Sequence, residues 1–209
     1  MTNEDPKGPV LPEPVPPLAL FRAPDGSNVA EVDLRQGGAL PALIEQARSA
    51  GAQKLWVHAP AIDSGLGFRR CGGYARLEAE RPTRCVDLPS PPLRLVRELQ
   101  LACFAGVWGH PEPATEPDPA ATFVGLHEAG VWTGICELDV AAGWIDSPGV
   151  VAGLRTPDRY ARLVRGAATL LPAGRVGLET WGDDEETIEA YRYLGFKVVE
   201  YVPGWELLL

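Results

Sequence analysis

From Gly174 to Leu207 the chain reads GRVGLETWGDDEETIEAYRYLGFKVVEYVPGWEL, and this stretch leaves little choice of local structure. Val176 to Trp181 is a short, mostly apolar run that closes on Trp181-Gly182, as a strand does. Asp183 or Asp184 supplies a helix N-cap, and the run Asp183-Asp184-Glu185-Glu186 suits the positive end of a helix dipole. Ile188, Tyr191 and Leu194 recur every three residues and make one apolar face. Gly195 stands where a helix ends by entering the left-handed region, and Phe196 opens the next strand. A helix held between two strands needs a sheet to lie on.

The first half of the chain repeats this order. It has a strand Ser27 to Leu34, a helix Ala39 to Ser49, a strand Lys54 to His58, a short turn AIDSG, Leu66-Gly67-Phe68, and a strand Tyr74 to Ala79. The later series is a strand Gly149 to Leu154, a helix Asp158 to Leu171, a strand Val176 to Thr180, then the tyrosine helix and Leu194-Gly195-Phe196. The first series is shorter, so its second helix shrinks to a turn, with Asp63 where the later series has Tyr191. Self-similarity of this kind predicts a duplicated architecture. The expected division is a Pro-rich, disordered leader at 1–17, a partial unit at 18–82, a linker at 83–92 and a full unit at 93–209. In the full unit, Leu93 to Leu101 begins a strand or helix, and Leu99 to Trp108 reads as a short helix. The stretch 109–120 holds four prolines and is a loop. Thr122 to His127 and Trp132 to Val140 make a hairpin around Glu128-Ala129-Gly130.

Helix, loop, hairpin, strand, helix, strand, helix, strand, with Tyr191, Gly195 and Phe196 in the spacing Tyr-x-x-x-Gly-Phe, resembles the GNAT N-acetyltransferases. Their wording Asn-x-x-Ala-x-x-x-Tyr-x-x-x-Gly-Phe puts Asp184 at the Asn position and Thr187 at the Ala position. The two-part series is similar to the tandem GNAT arrangement. The resemblance implies an α/β (α+β) GNAT fold, a mixed central sheet with flanking helices. It implies acetyl-CoA as cosubstrate, no metal, and direct transfer to a small amine in a ternary complex.

The family holds the pyrophosphate with a loop Gln/Arg-x-x-Gly-x-Gly/Ala before its third helix. Here that region supplies Val151, Gly153, Leu154, Arg159, Tyr160, Ala161, Arg162 and Leu163, joined by Asp184 and Thr187 of the tyrosine helix. Arg162 and Val164 stand where the loop has small residues. Arg159, Arg162 and Arg165 then either grip phosphate with side chains or form a solvated face. The earlier counterpart, Arg35-Gln36-Gly37-Gly38-Ala39-Leu40, keeps its glycines. Tyr191 is implied as the acid that protonates the leaving thiolate, with core packing as the other reading. Glu137 is the favoured base, with Asp139 and Glu179 beside it. Trp108, Trp132, Trp144 and Trp181 serve the core or an acceptor pocket.

The net charge of -9 argues against nucleic acid and anionic membrane. No apolar run reaches the ~20 residues of a membrane span. The N-terminus lacks the pattern of a signal peptide, which points to the cytoplasm. Cys71, Cys85, Cys103 and Cys136 form no Cys-x-x-Cys pair, so free thiols are expected rather than zinc. The expected partner is a small-molecule amine, and a homodimer stays open. The rival reading is a catalytically degenerate GNAT-like module that binds a ligand or a protein.

Overall fold

The computed structural model describes residues 18–35, 39–82, 87–172 and 174–209. The leader 1–17, residues 36–38 of the glycine loop, and 83–86 of the linker with Cys85 lie outside the described residues.

The N-terminal half gives β1 (Ala19–Arg22), β2 (Asn28–Asp33), α1 (Leu40–Ser49), β3 (Lys54–His58), a 3₁₀ turn (Ser64–Leu66) and β4 (Arg69–Glu80). The remainder gives α2 (Leu93–Phe104), β5 (Thr122–Glu128), β6 (Val131–Asp139), β7 (Trp144–Val150), α3 (Pro157–Leu170), β8 (Arg175–Trp181), α4 (Glu185–Tyr193) and β9 (Lys197–Leu208). All nine strands join one sheet in the order β1-β2-β3-β9-β4-β8-β7-β6-β5. The pairs β2/β3 and β7/β8 are parallel, and the other neighbours are antiparallel.

Strand alternation sets the layers. Val124, Leu126, Cys136 and Leu138 belong to the core under α3 and α4, whereas Phe123 and Ile135 of the same two strands pack under α2 on the opposite face. Leu55 and Val57 of β3 pack with Leu43, Ile44 and Ala47 of α1. Leu77 of β4 sits opposite Leu178 of β8, so a residue of the N-terminal half lies in the core beneath α3 and α4.

The strands of the two halves interleave, and two expectations, the start of β7 and the elements between 93 and 108, change. β8 and β9 flank α4 in sequence, but β4 lies between them in the sheet. Strands from both sides of the Pro-rich segment interleave, so that segment does not divide the sheet. β7 starts at Trp144 rather than Gly149, because the turn after β6 closes early. Ala142 N–H donates to Asp139 Oδ1 at 2.8 Å, and Gly143 takes a φ of 75°. The two short elements expected between 93 and 108 are the single helix α2, which buries Val96, Leu99, Cys103 and Phe104.

Candidate active site

β7 and β8 run side by side only from Trp144↔Gly177 to Asp146↔Glu179. The next residue, Ser147, has a φ of 46°. Pro148 offers no N–H to a neighbouring strand. The β6 partner register slips at the same level, between Ile135 and Glu137. A bulge of this kind bends its strand away and ends pairing. Past it, β7 leads into α3 and β8 into α4, and a gap opens between the strand ends.

The chain after α2 crosses this gap. A Cβ at Gly149 would lie 2.5 Å from Phe104 Cε1, so glycine lets α2 approach. Gly109, at φ 85°, lies against Trp181. His110 Nε2 is 3.3 Å from the Trp181 carbonyl oxygen, and its ring stacks on Phe104 at 4.0 Å between centroids. Arg155 ties the crossing down: it donates to the carbonyls of Cys103 and Ala105 at 2.8 Å each, and to Val150 at 3.2 Å.

One cavity of about 460 Å³ opens where the N-termini of α3 and α4 converge. Thr156, Tyr160, Asp183, Asp184 and Thr187 line it there, and Lys54 and Arg69 bring the N-terminal half to its far end. Thr156 caps α3 through Oγ1, which accepts from Arg159 N–H at 3.3 Å. Asp184 caps α4, accepting from Thr187 N–H at 2.8 Å. Trp108, 4% exposed, also lines the cavity, and its indole N–H has no partner among the described residues. Asp183 is buried. Its Oδ2 accepts from Tyr191 Oη at 2.9 Å and from Thr180 Oγ1. Burial pushes the Asp183 carboxyl up to about 7 against the pull of those two hydrogen bonds.

A second cavity, of about 530 Å³, lies along the crossing segment at Gly109, His110 and Pro111. Glu31, Glu137, Asp146 and Glu179 line it together with Phe104 and Trp181, and no Lys or Arg among the described residues does. Burial, then the charges of Asp146, Asp118 and Asp139, raise the Glu137 carboxyl above its ordinary value. Burial lowers His110 to about 4, so its ring is neutral at pH 7 and adds no cation. Glu179 accepts from Tyr74 Oη at 3.2 Å.

The structure brings together Tyr160, Asp184 and Thr187 at the first cavity, and Glu137 and Glu179 at the second. It places the other expected residues elsewhere. Tyr191 has no exposed surface and is absent from the lining of either cavity. Leu163 is in the core under α3, and Ala161, like Gly153 and Leu154, lies outside the cavity lining. The amides of Val151, Ala152 and Leu154 are committed to the carbonyls of Thr133, Ala102 and Val151. Arg159 and Arg162 share the Glu128 carboxylate, at 3.0 and 2.5 Å. Glu128 is held below its ordinary value, first by the Arg162 hydrogen bond and then by Arg159 and Thr133. Asp139 serves the β6–β7 turn. Trp144 stacks under Arg76 at 4.9 Å, and Trp132 meets His127 at 4.7 Å.

Sequence reasoning missed Asp146, Arg155 and His110, and it used Asp183 only as a cap. The one available signal was Ser147-Pro148-Gly149 inside a strand, which marks a break in pairing. Among the described residues, no helix is long and apolar enough to cross a membrane, and no group of His, Cys, Asp or Glu is placed to hold a metal.

No family model matches the sequence, and no curated protein matches it. Solved structures do match in shape. A candidate acetyltransferase of Pyrococcus horikoshii superposes with a TM-score of 0.55 at 15% identity, over 94% of this chain and 70% of its own. A functionally unknown conserved protein of Staphylococcus epidermidis gives 0.53 at 11% identity, over 88% and 84%. A GCN5-related N-acetyltransferase of Sphaerobacter thermophilus gives 0.50 at 15% identity, over 91% and 75%. The chain has the GNAT fold.

Proposed function

We propose that this chain transfers an acyl group, acetyl in the simplest case, from acyl-CoA to the nitrogen of a small amine. The observation that carries the reading is the pair of cavities that flank the crossing segment after α2, one lined by Gly106, Val107 and Trp108 and the other by Gly109, His110 and Pro111. One gathers two helix N-termini, and the other gathers four carboxylates without a Lys or Arg.

The acidic cavity suits a protonated amine, and its carboxylates draw such a group toward Glu137 and Asp146. An ammonium cannot attack a carbonyl carbon until it loses a proton. In this reading Glu137 takes it, supported by burial and three neighbouring acids that raise its affinity for protons. The aromatic walls, Phe104 and Trp181, exclude water from the attacking nitrogen.

The first cavity offers the donor polar groups of its own. Trp108, on the cavity wall, has a buried indole N–H without a partner among the described residues, and the α3 N-terminus favours negative charge. Arg159 and Arg162 already hold one anion between them, the Glu128 carboxylate. The helix end suits an anionic ligand, and the two arginines, which lie outside the cavity lining, would reach its phosphate by exchanging Glu128 for it. When bound, acyl-CoA supplies an activated carbonyl at the gap. The loop amides of Val151, Ala152 and Leu154 play no part in this reading, since protein carbonyls already occupy them. The reading places the protein in the cytoplasm, where its donor is found. Cys71, Cys103 and Cys136 are free thiols, as suits a reducing compartment.

The test is direct. Millimolar acetyl-CoA should raise the melting temperature, because a ligand of the native state must stabilise it. Free thiol should then appear when a set of primary amines is added. The Glu128 contact favours one alternative, a module that binds its ligand or partner without transfer. Stabilisation by acetyl-CoA with no thiol release from any amine would select it, and no stabilisation would remove the donor site altogether.

A further inference from the structure

The family pattern sets its proton donor at Tyr191, but here that phenol has no exposed surface. Its O–H ends on Asp183 Oδ2 at 2.9 Å. Thr180 Oγ1 donates to the same oxygen. Asp183 lines the first cavity, whereas Tyr191 does not. With both donors on Oδ2, Oδ1 is the oxygen left to carry a proton and to face the cavity. Asp183 also precedes the α4 cap by one residue, so the α4 N-terminus and Asp183 open on the same space.

We infer that Asp183 is the acid that protonates the departing sulfur, with Tyr191 and Thr180 as positioning residues that fix its carboxyl. This rests on the acyl-transfer reading. As the nitrogen lone pair forms the C–N bond, the C–S bond breaks and leaves its electron pair on sulfur. The ammonium has given one proton to Glu137, the Asp183 Oδ1 proton passes to sulfur, and the second proton of the newly bonded nitrogen passes to water. Asp183 is left ionised and regains its proton from water.

The surroundings keep Asp183 protonated for this work. Burial is the main cause of its shift to about 7. Asp184, beside it at the start of α4, pushes in the same direction. Arg155, from the loop before α3, and the hydroxyls of Thr180 on β8 and Tyr191 on α4 oppose it. Tyr160 of α3 shares the cavity, and burial followed by the Asp183 charge keeps its phenol protonated. At neutral pH the cavity wall therefore presents a carboxylic acid of matched strength, while the Tyr191 phenol is held far above its ordinary value.

The same arrangement has a readout independent of turnover. A group whose folded value is raised adds stability that is fully present below its unfolded value and is lost as pH rises through the folded value. For Asp183 the window runs from 3.8 to about 7. Wild-type stability should fall across that window, and Asp183→Asn should remove that part of the slope.

The experiment uses the full chain with CoA and acetyl-CoA as probes. Carbon-13 NMR of the Asp183 carboxyl should show a titration near neutrality that moves when CoA is added at saturation. With an accepted primary amine, Asp183→Asn should lower kcat by ~10²-fold or more and remove one limb of the pH profile. Tyr191→Phe should cost roughly tenfold and move that limb without abolishing it, as the loss of one supporting hydrogen bond does. If CoA binds and the Asp183 titration does not move, the inference is overturned and the acyl-transfer reading stands. A pH limb that survives in Asp183→Asn and vanishes in Tyr191→Phe also overturns it. Absence of CoA binding overturns both.

Discussion

The two halves of the sheet follow one plan with one difference. In the N-terminal half the parallel pair is β2/β3, crossed by α1, and its last strand is β4. In the C-terminal half the pair is β7/β8, crossed by α3, and its last strand is β9. The order β2-β3-β9-β4-β8-β7 reads alike from either end, with each last strand lodged beside the other half's pair. Both connectors after the pair start on an aspartate cap, Asp63 or Asp184, and both close on a left-handed glycine, Gly67 or Gly195. The difference lies in the pairs. β2 and β3 stay in register from Val29↔Lys54 to Asp33↔His58, while β7 leaves β8 after Asp146. A parallel β-α-β unit thus does not open by itself. The sequence Ser147-Pro148-Gly149 opens it, through a left-handed residue, a missing donor and a site where α2 can touch the backbone. Of the two halves as described, the second has the opening and the full second helix.

The strongest test of this comparison asks whether the halves are separable. Leu77→Ala removes an N-terminal side chain from the core beneath α3 and α4. It should cost ~2–5 kcal/mol in chemical denaturation, with unfolding still a single transition. Two resolved transitions would break the picture of one shared sheet. Next in size is the opening itself. Gly149→Val drives a side chain into Phe104 and should cost ~1–3 kcal/mol, with thiol release lost. Full activity in that variant would show that the gap is not where transfer occurs. The Glu128 carboxylate shared by Arg159 and Arg162 tests the donor side of the C-terminal half. Glu128→Gln should tighten acetyl-CoA binding by up to about tenfold, the scale of one competing charge-assisted hydrogen bond, as read by calorimetry. Unchanged affinity would leave Arg159 and Arg162 as surface charges. The smallest effect compares the caps. Asp184→Ala should cost about 1 kcal/mol because a nine-residue helix depends on it, and Asp63→Ala no more than about 0.5 kcal/mol. Equal losses would mean that the short turn carries as much structure as α4.

Local chemistry explains what could be read in the sequence. The α4 cap, its three-residue periodicity and its Gly195 stop act over a few residues, so the helix was legible. The hairpin at Glu128-Ala129-Gly130 was legible for the same reason. The insertion of β4 between β8 and β9 was not, because it depends on pairing such as Tyr74↔Val202, between residues far apart in the chain. Asp183 and Asp184 show the limit at a single site. Either could cap α4 by sequence, and only the fold turns Asp183 inward to Tyr191 and Thr180. The arginines of α3 were found as cations, but their partner Glu128 comes from another strand. The acidic cavity likewise draws Glu31 from β2, Glu137 from β6 and Glu179 from β8.

The lodging of β9 between β3 and β4 also sets the order of events in folding. β3 and β4 are consecutive strands, and consecutive strands commonly pair first. Here both strands make that ladder with β9 instead, so any early β3–β4 hairpin must open before the sheet can close. Loop closure over more than half the chain precedes the contacts that reward it, and such topologies fold slowly. Refolding should therefore show a slow phase that reports β9 entering the sheet, and until it enters, two strand edges in the middle of the molecule stand open to pairing with other chains.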